Sequence, residues 1–248
     1  MALVDLEIKK DIAVARMNNG VTNAINPELI AGLSEITDKV KKEAAVMILT
    51  GNDRFFSMGF DLPRVMELDR PGLSSYLFEF QNMLFQIATL PVPVICALTG
   101  HAVAGGAILA IACDYRIAKS EKMRIGFNES LLGLTVPCLA ELMLARFVGC
   151  RISQQLLVEG TLIQAEGAVS LGLIDDAGPM DTVMERAFQK ARQLQEIPLE
   201  TFAAIKENQL EDIRKKYLAR VRPKTGQFVD LWFTKETQKR LSIAMKKF

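Results

Sequence analysis

Two glycine-containing turns and one glutamate supply the residue types from which this chain could build an active site. The turns read "SMGFDL" (Ser57–Leu62) and "GHAVAGGAIL" (Gly100–Leu109), and each follows an apolar run typical of a buried strand. Glycine lets the backbone approach a ligand closely, and a turn that opens a helix leaves its first N–H groups free. Two such turns side by side could bind one oxygen through two amides, as an oxyanion hole does. Composition alone favours the alternative, a pair of ordinary tight strand–helix turns.

Glu129 is the carboxylate with the most unusual sequence setting, between "RIGF" and "LLGLTVPCLAELML". A carboxylate among apolar residues loses solvation, so its pKa rises towards the range that suits a general base. A solvated surface position is the default for any glutamate. Glu141, within a helical pattern, is assigned a structural role. His101 is the single histidine of the chain, and we assign it a local structural hydrogen bond rather than proton transfer.

Composition argues against several classes of protein. The 248 residues include 30 Lys and Arg against 29 Asp and Glu, so the basic excess typical of nucleic-acid-binding proteins is missing. The sequence has neither a CxxC nor an HExxH motif, which argues against a metal site. It also has no G-x-G-x-x-G and no Walker loop, which argues against dinucleotide and nucleoside triphosphate sites. The four cysteines have no paired spacing and indicate reduced thiols in a reducing compartment.

One stretch, Leu90–Cys113, contains no Asp, Glu, Lys or Arg and is long enough for a membrane span. Pro91, Pro93 and three glycines divide it, so we predict a buried strand followed by a buried helix and no membrane association. The amino terminus alternates like strands and lacks a secretory signal. These features predict a cytoplasmic protein.

Hydrophobic periodicity predicts strands that alternate with helices, followed by an almost wholly helical tail. The predicted strands are Val4–Lys9, Ile12–Met17, Ala44–Gly51, Val94–Leu98, Tyr115–Ala118 and Arg124–Phe127. The predicted helices are 27–42 with Asn26 as N-cap, 72–89, a segment that ends near Cys113, 138–147, 153–157, 164–171, 181–195, 199–218 and 227–247. This pattern indicates an α/β core over residues 1–195 and a helical extension over residues 196–248.

Three blocks in a fixed order give the chain a resemblance to a known family. They are "VTNAIN" (Val21–Asn26), "AAVMILTGNDRFFSMGFDL" and "PVPVICALTGHAVAGGAILAIACDYRIA". Together they resemble the crotonase family, the enoyl-CoA hydratase/isomerase superfamily, over nearly the whole chain. The resemblance implies a spiral of strand–strand–helix repeats, with a helical C-terminal part that forms a homotrimer or a hexamer and can act as a lid. It also implies acyl-CoA thioester substrates, in which coenzyme A is part of the substrate and no separate cofactor is needed.

The resemblance also assigns site residues. The backbone N–H groups of Phe60 and Gly105 would form the oxyanion hole, and Glu129 would be the catalytic acid–base. The adenine of coenzyme A would lie near Val21, Met58 and Leu62, and the last helix would offer Lys246 or Lys247 to the phosphates. The acyl end would be lined by Leu131, Thr135, Val136 and Pro137.

One departure from the family pattern narrows the set of activities that the resemblance implies. Hydratases carry a glutamate three residues beyond the glycine that matches Gly105, and this chain has Ile108 there. The segment "IGFNE" around Glu129 is instead similar to that of Δ3,Δ2-enoyl-CoA isomerases. The resemblance therefore implies an isomerase that moves a proton from C2 to C4 of a 3-enoyl-CoA. A hydrolase, decarboxylase or hydratase of the same family, or a CoA-binding member without activity, are the alternatives.

Overall fold

The most apolar runs of the sequence form a mixed sheet of six strands, and four shorter strands form a second sheet. The structure, a computed structural model, describes residues 3–245. The strands are, in chain order, β1 (Val4–Lys9), β2 (Ile12–Met17), β3 (Val46–Thr50), β4 (Phe55–Ser57), β5 (Val94–Leu98), β6 (His101–Val103), β7 (Tyr115–Lys119), β8 (Arg124–Gly126), β9 (Ile163–Gln164) and β10 (Asp176–Gly178). They are ordered β1-β2-β3-β5-β7-β10 in the larger sheet and β4-β6-β8-β9 in the smaller one.

Helices surround both sheets. They are α1 (Pro27–Glu43), α2 (Leu62–Val65), α3 (Arg70–Ala88), α4 (Gly105–Ala112), α5 (Cys138–Glu159), α6 (Ala165–Ser170), α7 (Val183–Gln195), α8 (Leu199–Trp232) and α9 (Lys235–Met245), with short 3₁₀ turns at Glu129–Leu132 and Met180–Thr182. Asn26 begins α1 as predicted, because its Oδ1 accepts the Leu29 N–H at 2.8 Å. Within residues 3–245, no helix combines the length and the apolar character needed to span a bilayer.

Strand β3 shows how the larger sheet is buried on both faces. Met47 and Leu49 face the main hydrophobic core, whereas Val46 and Ile48 pack in a second cluster beneath α7. Successive side chains of a strand point to opposite faces, so both sides of this sheet need a cover. The continuous apolar run therefore predicted this strand correctly.

The chain repeats one structural unit three times. A strand of the larger sheet is followed by a strand of the smaller sheet and then by a helical segment, in β3–β4–α2, β5–β6–α4 and β7–β8 with its 3₁₀ turn. Strands β4, β6 and β8 are neighbours and run parallel. The predicted spiral of strand–strand–helix repeats is confirmed, and the carboxyl ends of these three short strands lie at one edge of the smaller sheet.

Several predicted boundaries were wrong for physical reasons. Strand β6 lies inside the turn predicted at Gly100–Leu109, and β4 lies where no strand was predicted, because three residues are too few to show alternation. The two helices predicted at 138–147 and 153–157 correspond to the two segments of α5, which a non-helical Gly149 separates (φ 77°, ψ 160°), but the second segment continues to Glu159. A break was predicted between residues 218 and 227, but α8 continues through Pro223 and ends at Trp232, and α9 begins at Lys235. Packing of α8 against α3 and α5 outweighs the local cost of proline. The end of the predicted last helix lies outside the described residues.

The contact between α4 and β4 requires a glycine. A Cβ atom placed on Gly106 would lie 2.1 Å from the Ser57 carbonyl oxygen and 2.9 Å from the Ser57 Cβ. Both groups belong to secondary structure elements, so neither can move aside without separating the elements. The start of α4 therefore rests directly on the end of β4.

We predict that Gly106→Ala lowers the free energy of unfolding by about 2 kcal/mol or more, because the added methyl group overpacks this contact. Gly167→Ala is the matched control, since a Cβ on this α6 residue would meet no atom within 4 Å. Chemical denaturation at one protomer concentration measures both changes. Equal effects of the two substitutions would contradict the close contact.

Candidate active site

The three groups proposed from the sequence follow three neighbouring strands. Phe60 comes after β4, Gly105 after β6 and Glu129 after β8. Ligands of parallel sheets commonly bind beyond the carboxyl ends of the strands. The order of β4, β6 and β8 in the smaller sheet brings the three turns to one place.

The first turn is held in an unusual backbone conformation. Gly59 has φ +95°, and a Cβ atom on it would lie 3.0 Å from the Gly105 nitrogen. Ser57 fixes the turn from below, since its Oγ donates to the Asn23 carbonyl oxygen at 2.7 Å and accepts the Gly59 N–H at 3.1 Å. Glycine is needed here both for the dihedral angle and for the close approach of the second turn.

The second turn places a strained residue immediately before α4. Ala104 has φ +50° and ψ −122°, a conformation that residues other than glycine rarely adopt. Such strain is often found at functional sites, where the surrounding structure imposes it. The Ala104 N–H donates to the Gly126 carbonyl oxygen at the end of β8 (2.9 Å), which ties this turn to the third.

Two backbone amides at these turns are free. Among residues 3–245, neither the Phe60 N–H nor the Gly105 N–H donates a hydrogen bond to another residue. Gly105 is the first residue of α4, where N–H groups lack a partner within the helix and the helix dipole is positive. Both turns therefore offer a donor to an anionic oxygen.

Glu129 is buried, with only 7% of its surface exposed. Burial raises the pKa of its carboxyl group from 4.5 to about 7, and a hydrogen bond from its own backbone opposes part of this rise. Its Oε2 atom has no hydrogen-bond partner among the described residues. The side chain is thus available to exchange a proton near neutral pH.

Helix α9 supports the 3₁₀ turn that carries Glu129. Thr237 Oγ1 donates to the Gly133 carbonyl oxygen at 3.1 Å, and Arg240 Nη1 donates to the Leu131 carbonyl oxygen at 3.1 Å. Gly133 has φ +84°, and a Cβ on it would lie 2.6 Å from Thr237 Oγ1. These supports come from more than a hundred residues downstream, so no local sequence signal could have predicted them.

The three turns enclose a cavity of about 90 Å³. Six of the predicted site residues line it, namely Met58, Phe60, Leu62, Gly105, Glu129 and Pro137. Glu129 is the one carboxylate among its described lining residues, and Ile108 contributes an apolar side chain. A groove of about 280 Å³ adjoins the cavity and shares Met58, Phe60 and Leu62 with it.

The other predicted binding residues do not line this cavity, namely Val21, Leu131, Thr135 and Val136. Val21 is 62% exposed, and Leu131 is 54% exposed and packs against Gly160. Lys246 and Lys247 lie outside the described residues. A role in binding stays a prediction for all six residues.

Several lining residues were not predicted from the sequence, namely Asn128, Leu132, Leu134, Phe228, Trp232 and Ala244. Leu132 could have been found, because residues three apart in a 3₁₀ turn lie on one face and Glu129 begins this turn. Phe228 and Trp232 come from α8, and only tertiary packing brings them to the cavity.

His101 makes the local structural hydrogen bond that was expected of it. Its Nδ1 accepts the Arg124 N–H at 3.1 Å. Burial lowers the pKa of His101, and the neighbouring cations Lys119, Arg124 and Arg54 lower it further. Among residues 3–245, no group of three His, Cys, Asp or Glu side chains is placed to hold a metal ion.

Comparison with known proteins matches residues 7–246 to the family of enoyl-CoA hydratase/isomerase. The mouse enoyl-CoA delta isomerase 1, mitochondrial, is 30% identical over 189 residues, which cover 75% of this chain and 65% of the mouse protein. The crystal structure of human mitochondrial delta3-delta2-enoyl-CoA isomerase aligns with a TM-score of 0.95 at 24% identity, over 99% of this chain and 97% of the human one. That of an enoyl-CoA hydratase from Bacillus halodurans aligns with a TM-score of 0.90 at 24% identity, over 97% and 99% of the two chains. These two structures show the shared fold alone.

The raised pKa of Glu129 predicts a pH-dependent stability difference between the protein and Glu129→Gln. The native state holds a proton between pH 4.5 and about 7 that the unfolded chain releases, so this contribution to stability is lost as the pH rises through about 7. We expect the free energy of unfolding of Glu129→Gln, relative to the parent, to be about 2 to 3 kcal/mol higher at pH 8 than at pH 5.

Chemical denaturation at pH 5 and pH 8, at one protomer concentration, measures this difference. The cost of burying the Gln amide is the same at both pH values and cancels. Glu141→Gln, which removes an exposed carboxylate of α5, is the control. A gain at pH 5 as large as that at pH 8 would show that Glu129 ionises freely in the native state.

Proposed function

Because the chain belongs to the enoyl-CoA hydratase/isomerase family, we propose that it is a Δ3,Δ2-enoyl-CoA isomerase that uses Glu129 as its single acid–base. One observation carries the proposal. The cavity combines two free amides with one buried carboxylate, and Ile108 stands where a hydratase would place its second carboxylate. An isomerase needs to move only one proton.

The reaction begins with the 3-enoyl thioester in the cavity and its carbonyl oxygen between the amides of Phe60 and Gly105. The Glu129 carboxylate removes a proton from C2, and the electron pair of that C–H bond delocalises over the thioester and the C3–C4 double bond. Most of the negative charge then lies on the thioester oxygen, where the two N–H groups stabilise it. The protonated Glu129 returns the proton to C4, and the double bond ends between C2 and C3.

The apolar lining favours isomerisation over hydration. Hydration requires one group to activate water while another delivers a proton to the α-carbon, and two carboxylates usually share this work. Ile108 is only 2% exposed and offers no hydrogen bond to a water molecule. Water near the dienolate is therefore disfavoured, and the dienolate takes its proton back from Glu129 at C4.

The adjoining groove is the site we assign to coenzyme A. It shares Met58 and Leu62 with the cavity, and both were predicted to lie near the adenine. Assembly as a homotrimer or hexamer, the cytoplasmic location and the boundary between residues 195 and 196 stay predictions.

Replacement of the Glu129 carboxylate by an amide tests its role in turnover. We expect Glu129→Gln to lower kcat on a 3-enoyl-CoA by roughly 10²- to 10⁴-fold with KM nearly unchanged, because the amide cannot accept the C2 proton. Glu141→Gln should retain parental activity. Near-parental turnover by Glu129→Gln would remove this residue from the mechanism.

Assays of the parent protein on three CoA esters separate the isomerase proposal from the alternative activities. A 3-enoyl-CoA, a 2-enoyl-CoA and a malonyl-type CoA distinguish isomerisation, hydration and decarboxylation, and free thiol release reports hydrolysis. Rapid hydration of the 2-enoyl ester would overturn the isomerase assignment. Binding of all three esters without turnover would indicate a CoA-binding protein without activity.

The pH dependence of kcat/KM tests the ionisation of Glu129. Glu129 must be ionised to act as a base, and burial raises its pKa to about 7. We therefore expect kcat/KM to rise with pH, to reach half its maximum near pH 7 and to level off above that value. A constant kcat/KM between pH 5.5 and 8.5 would contradict the assignment of Glu129 as the base.

A further inference from the structure

We propose that the substrates of this protein have short acyl chains, on the order of four carbons, because two aromatic residues of α8 close the cavity. The inference rests on the proposed function, since it concerns the acyl group that this cavity would receive. It assigns chain-length selection to Trp232 and Phe228, which form one wall.

The wall is a stacked pair on one face of α8. Phe228 and Trp232 are four residues apart, and residues at this spacing lie above one another on a helix. Their ring centroids are 6.0 Å apart with an interplanar angle of 24°. They are 3% and 1% exposed, so neither ring has room to turn into solvent.

Contacts with α3 fix the part of α8 that carries the wall. The buried Gln81 Nε2 of α3 donates to Thr225 Oγ1 at 2.8 Å. Arg70, at the start of α3, pairs with Asp230 at 2.8 Å, and its guanidinium group lies 5.0 Å from the centre of the Phe233 ring. These contacts lie on either side of the aromatic pair, so displacing the wall would break several of them together.

The volume of the cavity limits the length of the acyl chain that fits against the wall. Its volume is about 90 Å³. An apolar cavity of about 150 Å³ is known to hold benzene, with six carbons, so this one has space for about four carbon-sized groups. A thioester carbonyl between the two amides, with the carbons that follow it, fills that space.

A chain longer than this space would meet the described residues that line the cavity, Trp232 and Phe228 among them. The adjoining groove shares Met58, Phe60 and Leu62 with the cavity, and the CoA part of the same ligand would occupy it. Ile108 also lines the cavity and is only 2% exposed. Additional methylene groups would therefore have to displace a lining residue, and we assign this role to the wall of Trp232 and Phe228.

The test compares Trp232→Leu with a matched control on the same helix. Tyr217→Leu also removes a buried aromatic ring of α8, one that is 2% exposed and stacks on Phe85 at 4.7 Å but does not line the cavity. Phe228→Leu is a second variant that alters the wall if Trp232→Leu fails to fold. The kcat/KM values are measured on 3-enoyl-CoA esters of 4, 6, 8 and 10 carbons. The shortest chain matches the space for about four carbon-sized groups, and the others exceed it.

For the parent protein, we expect kcat/KM to fall at least about tenfold between the 6- and 10-carbon esters, since the cavity has space for about four carbons. Trp232→Leu or Phe228→Leu should raise the ratio of the 10-carbon to the 6-carbon value by about tenfold, and Tyr217→Leu should leave it unchanged. A parent that prefers the 10-carbon ester would overturn the inference. An equal shift in Trp232→Leu and Tyr217→Leu would overturn it as well.

Binding of saturated esters separates this inference from the proposed function. Titration calorimetry with butanoyl-CoA, hexanoyl-CoA and decanoyl-CoA needs no turnover. If the parent isomerises none of the enoyl esters yet binds butanoyl-CoA and hexanoyl-CoA more tightly than decanoyl-CoA, the isomerase proposal fails and the chain-length inference stands. Tightest binding of decanoyl-CoA would overturn the inference whatever the activity.

Discussion

The candidate site depends on a contact between two backbones with no side chain between them. Gly106, at the start of α4, lies against the Ser57 carbonyl oxygen, and Gly59 lies against the Gly105 nitrogen. These contacts bring together, at the edge of the smaller sheet, two amides that have no hydrogen-bond acceptor within residues 3–245. A Cβ at either glycine would separate the turns, so the relative position of the two amides is fixed by the absence of side chains.

The buried carboxylate of Glu129 lowers the stability of the fold that holds these turns. An ionised Glu129 in an apolar cavity costs the protein stability, and its Oε2 has no partner among the described residues to offset that cost. The scaffold tolerates it because the turn is bonded from α9 and the cavity walls are packed aromatic and aliphatic groups. Functional sites commonly depart in this way from the rules that stabilise the rest of a fold.

The sequence predicted the elements whose patterns are long. The hairpin of β1 and β2, the start of α1 and the doubly buried strand β3 follow from periodicity, capping and apolar runs. Strands β4 and β6 were missed because three residues carry no periodic signal, although they position the turns.

For the site, the glycine turns and Glu129 were visible as residue types, and the family resemblance assigned their roles. The wall of Phe228 and Trp232 was not visible, because a helix face that meets a distant cavity has the same sequence pattern as one that meets any core. The supports from α9 were hidden for the same reason.

The position of α9 in the chain determines when, during synthesis, the turn of Glu129 can take its final shape. The turn of Glu129 receives hydrogen bonds from Thr237 and Arg240, which are 104 and 109 residues beyond their partners. During synthesis, this turn can therefore take its final shape only after α9 has emerged from the ribosome. Before that point the central sheets can fold, but the turn of Glu129 lacks the two hydrogen bonds from α9. The geometry around the buried carboxylate is therefore among the last parts of the described structure to be completed.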